Sequence, residues 1–563
     1  MRGRVSSDTV NHTRKRAIDP FRYLRTWRQN VMAKRMRNIA RLAIVGVTVA
    51  ALAACAGPPP PPAGGDAPSD PNIRLWDDEP GGPPVEGGRL AFQMRLEPNN
   101  IDPHTATESA AYVVMEQLYE SLLESVRGEI VPALAKEWDI SDDGLTYTFT
   151  LREATFHSGR EVTADDVKYS IERIVDPATA SPRANSFSMI TDIEAVDEHV
   201  VEFTIAEPTA PLLTMFSTVG ASIVDREVVE AGGLNGDVDG GTGPFVLAQR
   251  ASGQRVVLDK FEDYWDPELP YLDGIDVTWS GDDNARAAAI RSGTVDFLWR
   301  AAPEFIDSMK ADPELKWYGG AGTLSLHLRM NTSRAPFDDE RVRQAIFLAL
   351  DRQELLDAAN SGQGTVLYAG YLPPDRYGAV KDAIYGEPDL DRARELLEEA
   401  GYADGFEASI MAVSSSAFQT RQSEVIQQQL AKIGITITLE FQEATTTSQR
   451  ARDADFDMYQ TGYTMSTDPD ERLSGAFVTG GSTNYGKWSD AEYDRIIAEA
   501  RTELDREARE ALYVQAETIL AERGPIASTF VTADFDVVGT HVMGYRGDPT
   551  PSFRFYKAIW LDQ

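Results

Sequence analysis

Six histidines, one cysteine and many paired carboxylates are the residues of this chain that could carry bond-making chemistry. The histidines are His12, His104, His157, His199, His327 and His541, and no two lie close enough for a local metal-ligand motif. Cys55 is the single cysteine, so no disulfide can close within the chain and no thiol nucleophile follows it. There is no G-x-S-x-G elbow, no P-loop and no dinucleotide-binding glycine fingerprint. The acidic pairs read most simply as solvated faces, because 89 Asp/Glu against 54 Lys/Arg give a formal net charge of -35. The residues therefore point to a binder and not an enzyme, with no cofactor and no metal site.

The one cysteine has a chemistry of its own. Lys34, Arg35, Arg37 and Arg41 precede the apolar run from Leu42 to Leu52, which is about half of the ~20 residues needed to span a bilayer. A basic stretch followed by a short apolar one fits a secretory signal. Leu52-Ala53-Ala54-Cys55 then resembles a bacterial lipobox, in which the cysteine is lipidated and becomes the first mature residue. Residues 1–54 are thus expected to be a signal segment with an N-terminal extension, Met32 and Met36 being candidate starts. The proline-rich stretch after Cys55 reaches about Gly88, and such chain is extended and cannot bury a core. Residues 55–88 are read as a lipid anchor and tether, which places the body outside the cytoplasmic membrane.

The length of 563 residues implies two to four domains. Residues 1–54 hold 12 of the 54 basic and 2 of the 89 acidic residues, leaving 42 against 87 in the rest. A surface that acidic repels polyanions, which argues against nucleic acid as a partner.

From about Arg89 onward strands and helices are mixed, without internal repeats. Tyr147, Phe149 and Leu151 alternate with threonines as in a half-buried strand. Thr163-Ala-Asp-Asp166 and Ser489-x-x-Glu492 look like capping boxes that open helices. Leu390, Ala393, Leu396, Leu397 and Ala400 share a helical face that Gly401 can end. Ile426, Leu430 and Ile433 precede Gly434 and the alternating run Ile435, Ile437, Leu439, Phe441. An α/β body follows from these patterns.

Several stretches in order carry a resemblance. They are Leu96-Glu-Pro-Asn-Asn-Ile-Asp-Pro-His104, Gln117–Leu123, Val131-Pro-Ala-Leu-Ala-Lys-Glu-Trp138, Asp143–Arg152 and Phe156-His-Ser-Gly-Arg-Glu-Val-Thr-Ala-Asp-Asp-Val167. Gly241-Thr-Gly-Pro-Phe245, Tyr264-Trp265, Pro336–Ile346, Leu396–Tyr402 and Phe456-Asp-Met458 continue the series. Together they resemble the peptide/nickel-type (family 5) solute-binding proteins of ABC importers. The resemblance implies an α/β, class II periplasmic-binding-protein-like fold with two main lobes around a ligand cleft and an inserted third domain. Domain I would comprise 89–119, 241–319 and 525–563, domain II 120–240, and domain III 320–524. The Gly-Thr-Gly-Pro turn would be structural, needing backbone freedom at Gly243 before the fixed Pro244, and His104 structural as well.

The same resemblance places three segments on the cleft. Thr107 and Ser109 would offer hydroxyls, Trp299 an aromatic wall, and the loop with Tyr463, Thr464, Met465 and Ser466 further contacts. Dipeptide-binding members use an aspartate for the ligand α-amino group and an arginine for its carboxylate. Here Met465 or Ser466 occupies the aspartate's place and Val413-Ser-Ser-Ser416 the arginine's, which argues against a zwitterionic dipeptide. Longer peptides, opines, oligosaccharides and chelated nickel remain open, and Arg300 and Arg329 are candidates for an anionic ligand. The implied partners are a small solute, an ABC permease and, through Cys55, a bacterial membrane; the implied location is the periplasm or cell surface, and the implied state a monomer. The rival reading on the same fold is a sensor or partner-docking protein.

Overall fold

The period-two run Thr146–Leu151 forms a strand whose Tyr147, Phe149 and Leu151 are buried, as alternation on a one-sided sheet requires. Thr163 caps the helix Ala164–Val175, with its backbone N–H donating to Asp166 Oδ2 at 3.0 Å. Helix Leu390–Glu399 buries Ala393, Leu396 and Leu397, and Gly401 follows at φ +89°. Helix Ala417–Ala431 is followed by Gly434, also at φ +89°, and by the strand Ile435–Gln442. The second capping signal is corrected by one residue. Asp490, not Ser489, caps Ala491–Thr502, its carboxylate accepting from Glu492 N and Tyr493 N at 3.0 Å each. A charged carboxylate at that position outcompetes a hydroxyl one residue earlier. Asp490→Ala is expected to cost about 1–2 kcal/mol in urea unfolding, since the 2.8 Å pair with Arg523 is lost as well.

The computed structural model describes residues 82–562 apart from 127, 235–237, 310–311, 465–467 and 548–552, with backbone only at 307, 321 and 555 and at Ile73–Arg74. The signal, Cys55 and nearly all of the tether lie outside the described residues. Among the described residues no helix is long and apolar enough to cross a membrane.

Among these residues a twelve-stranded sheet runs in the order Ile435–Gln442, Phe406–Val413, Met458–Thr464, Leu315–Met330, Ile526–Gly539, Phe297–Leu298, Arg89–Met94, Gly274–Trp279, Arg255–Lys260 and Phe245–Ala251. Gly364–Val366 and Ile73–Arg74 pair off this path. A separate antiparallel sheet holds Ala135–Ile140, Thr146–Leu151, Val200–Ile205 and Ile190–Asp197. Three large apolar cores accompany these strands. The first contains Phe92, Val114, Phe297, Trp299, Tyr318 and Val538. The second contains Leu328, Ile346, Ile410, Ile426 and Phe530, and the third, under the separate sheet, Phe149, Val167 and Phe203.

Two long strands contribute to both the first and the second core. Leu315–Met330 places Tyr318 in the first and Leu326, Leu328 and Met330 in the second. Its partner Ile526–Gly539 does the same with Val538 and Phe530. Their antiparallel register is broken between Ala321 and Ser325. A bulge of this kind twists and bends a strand pair. The irregularity falls at residues 322–324, between the residues the pair gives to the first core and those it gives to the second.

Candidate functional site

The motif residues of the resemblance are mostly spent on holding the elements together. His104 is fully buried, its Nε2 2.9 Å from Ser222 O and its Nδ1 2.8 Å from Arg173. Burial and the neighbouring Arg173 push its pKa down to about 4, so it is neutral. In His157 both ring nitrogens face acceptors, Asp239 Oδ1 and Gly243 O. Burial disfavours its charge, but the Asp239 carboxylate overcomes this and raises its pKa. Glu120 accepts from Tyr264 OH at 2.8 Å and from Trp265 Nε1 at 3.0 Å. Gly243 departs from expectation. Its φ is not left-handed; instead an added Cβ would sit 2.3 Å from Gln117 O, so the turn needs close backbone approach and not conformational freedom.

Around the bulge the structure gathers side chains from both halves of the large sheet. Trp299 and Arg300 end the short Phe297–Leu298 strand, with Arg300 at φ +49°, an uncommon conformation for a side-chain-bearing residue. Arg300 N donates to Asp536 Oδ1 at 2.9 Å, which holds that turn in place. Asp536 is wholly buried and also accepts from Tyr545 OH at 2.5 Å; burial pushes its pKa up to about 6. The Arg300 guanidinium reaches Thr323 Oγ1 at 3.0 Å and Asp534 Oδ2 at 3.2 Å. From the other side Arg376 Nη2 donates to Gly322 O at 3.2 Å. Two adjacent residues of the bulge, Gly322 and Thr323, are thus each bonded to a guanidinium group.

Immediately beyond it, Ser325 pairs with Tyr463 and Leu324 with Thr464. Residues directly opposite in an antiparallel pair share a face. Tyr463 consequently joins a group of rings and cations on the Ser325, His327, Arg329 side. Its ring centroid is 6.1 Å from those of His327 and Tyr371, and His327 stacks on Tyr371 at 5.0 Å. The guanidinium groups of Arg329 and Arg472 each lie 5.5 Å from the Tyr463 ring, and Arg329 also lies 5.4 Å from Phe477.

Of the residues expected on the cleft, Trp299, Tyr463 and Thr464 stand on the two segments that meet at this bulge, with Arg300 and Arg329 among them. Trp299 is 6% exposed, its ring set edge-on against Phe553 at 5.5 Å and under the Arg300 guanidinium at 4.8 Å. Tyr463 is buried and Thr464 exposed. Thr107 and Ser109 are exposed beside Glu108, the N-cap of helix Ser109–Leu118, and among the described residues they make no hydrogen bond or ring contact with this group. Met465 and Ser466 lie outside the described residues. Asp468, three residues on, is committed to Arg509, which also donates to Tyr513 OH at 3.0 Å. Tyr371, Arg376 and Arg472 were not singled out from sequence, and His327 only as one of six dispersed histidines. The available signal was the buried polar alternation Ser325, His327, Arg329 within an apolar strand.

A mixed α/β architecture in which one long strand pair contributes to two apolar cores is that of a class II periplasmic-binding-protein-like fold. Residues 129–485 match the family model "Bacterial extracellular solute-binding proteins, family 5 Middle". The Di/tripeptide-binding protein 1 of Pseudomonas aeruginosa strain UCBPP-PA14 is 30% identical over 513 residues, 84% of this chain and 95% of that protein. Among solved structures, the binding protein AgaA from A. tumefaciens R10, in complex with agropinic acid, superposes with a TM-score of 0.72 at 28% identity over 84% of this chain and 99% of that one. The Helicobacter pylori protein DppA, in complex with peptide STSA, gives 0.71 at 27% identity over 85% and 99%. The chain belongs to the family 5 bacterial extracellular solute-binding proteins, and it is an extracytoplasmic binding component of the ABC-importer type.

Proposed function

We propose that this protein captures a peptide or peptide-like solute in the cleft at the bulged strand pair and delivers it to a membrane permease, without chemical turnover. The observation that carries the reading is the strand pair Leu315–Met330 and Ile526–Gly539, which contributes to two cores and breaks register between them, from Ala321 to Ser325 and again between Leu326 and His327. Such a pair lets two bodies close on a ligand by a small change at a few backbone positions. The peptide-binding and opine-binding relatives support the solute class. We assign domain I to 89–119, 241–319 and 525–563, domain II to 120–240 and domain III to 320–524. Thr107, Ser109, Trp299, Tyr463, Thr464, Met465 and Ser466 form the first set of ligand contacts to test, and Cys55 the lipid anchor of a monomer.

Residues 56–563 purified gently should carry a single compound detectable by mass spectrometry after extraction. Adding that compound back is expected to raise the melting temperature with concentration, as linkage requires, and to reduce the radius of gyration in solution scattering. Tight binding with an unchanged radius would reject closure at this strand pair.

A further inference from the structure

Four side chains of the group around Tyr463 carry buried polar atoms that meet no acceptor or donor among the described residues. These are Arg329 Nε and Nη2, Tyr371 OH, Tyr463 OH and His327 Nε2. All four side chains are more than nine-tenths buried. Arg329 spends only Nη1, on Thr483 O at 3.1 Å and Ala476 O at 3.4 Å, and it has no carboxylate partner within ion-pair distance among the described residues. Arg472 adds a second guanidinium, directed at Thr464 O at 3.3 Å, with the largely exposed Glu471 3.8 Å away. Cation–π contacts with Tyr463 and Phe477 offset part of the cost of burying Arg329. Leaving a buried cation without a counter-charge costs more than such contacts recover. Buried polar groups are nearly always satisfied, so a concentration of unspent donors calls for an acceptor.

The sign of the site is as informative as its position. The protein carries a formal charge of -35, so its overall field repels anions. The group around Tyr463 nevertheless brings two arginines together, and the largely exposed Glu471 is the one carboxylate within ion-pair distance of either among the described residues. Burial, with the Arg329 charge beside it, pushes the His327 pKa down to about 3 and keeps that ring neutral. The local positive charge therefore rests on Arg329, in the strand Leu315–Met330, and on Arg472, in the helix Asp470–Phe477.

Resting on the reading that the cleft at the bulge binds a solute, we propose that Arg329, Arg472, Tyr371 and Tyr463 form a receptor for a carboxylate of that solute. Paired guanidinium and phenol donors suit the several lone pairs of an ionised carboxyl group. The requirement excludes sugars and other neutral solutes, and it is met by a peptide C-terminus or by the carboxylates of an opine-like amino-acid derivative.

The test uses residues 56–563 freed of bound solute, and calorimetric titration with three probes. These are a defined mixture of tri- to pentapeptides as free acids, the same peptides as C-terminal amides, and octopine. The free acids are expected to bind at least 30-fold more tightly than the amides. Arg472→Gln should lose most of that ratio, weakening free-acid binding far more than amide binding. Arg329 is so deeply packed that its replacement can unfold the protein, so Tyr463→Phe serves as the second variant. That substitution keeps the ring, removes one donor and should weaken free-acid binding about 10-fold with an unchanged melting temperature. Equal affinity for acids and amides would overturn the carboxylate receptor and leave peptide capture standing. Octopine binding lost in Arg472→Gln, with neither peptide form bound, would uphold the receptor and overturn peptide capture. Silence from all three probes would overturn both.

Discussion

Glu517→Gln is expected to raise the melting temperature above that of the unaltered protein, by an amount that grows from pH 5 to pH 9. Glu517 stands on helix Arg506–Arg523 and is wholly buried. Its Oε2 accepts from Leu372 N at 2.8 Å, while Oε1 has no partner among the described residues. Burial pushes its pKa up from 4.5 to about 8, so the carboxyl is neutral at pH 7. A carboxyl whose pKa is higher in the folded state binds its proton more tightly there. Its contribution to stability is present in full below pH 4.5 and is lost as pH rises towards and through 8. A shift of this size corresponds to roughly 4–5 kcal/mol across that window. An amide has the shape of the neutral acid and no proton to lose, so the variant should lack this slope. Parallel melting curves of the two proteins from pH 5 to 9 would refute the assignment. The residue bears on function through what it holds, because Leu372 follows Tyr371 in the loop that brings the phenol to Tyr463.

Gly241→Val should abolish soluble protein, and Gly241→Ala should lower stability by on the order of 4 kcal/mol. An added Cβ at this position would lie 1.8 Å from the carbonyl oxygen of Leu118. The obstacle is backbone at the end of helix Ser109–Leu118 and cannot rotate away as a side chain could. The same turn is fixed by Gly243 N to Leu118 O at 2.9 Å, by His157 N to Gly241 O at 2.9 Å and by Gly241 N to Asp239 Oδ1 at 3.0 Å. It thus joins the Phe156–Val167 motif to the first core. Urea unfolding of the alanine variant measures the effect, and a loss below about 1 kcal/mol would show that the helix end moves aside freely.

Local chemistry was legible without the structure wherever neighbours in sequence are neighbours in space. The alternation at Tyr147, Phe149 and Leu151, the Thr163 cap and the helix stops at Gly401 and Gly434 depend on contacts a few residues long. The capping signal at Ser489 missed by one position because hydroxyl and carboxylate compete within the same turn, and their geometry decides. The glycines of the Gly241–Pro244 turn were visible as a motif, but their reason was not. Close approach to Leu118 depends on a segment more than a hundred residues away.

By itself the sequence determined the α/β class, the family resemblance with its order of motifs, the acidic body and the single cysteine behind an apolar run. These follow from composition, periodicity and local order, which survive without any knowledge of what packs on what. Only the tertiary structure decided that Arg300 holds the bulge, that Asp468 is taken by Arg509, and that Arg329 and Arg472 face one tyrosine ring. His327, Tyr371 and Arg472 span almost 150 positions of chain and carry no motif, whereas the family resemblance had already pointed to Tyr463. What unites them is the pairing of Leu315–Met330 with Met458–Thr464 and the loop pinned by Glu517, and such pairings are set by the burial of whole strands and helices rather than by the residues that end up at the site.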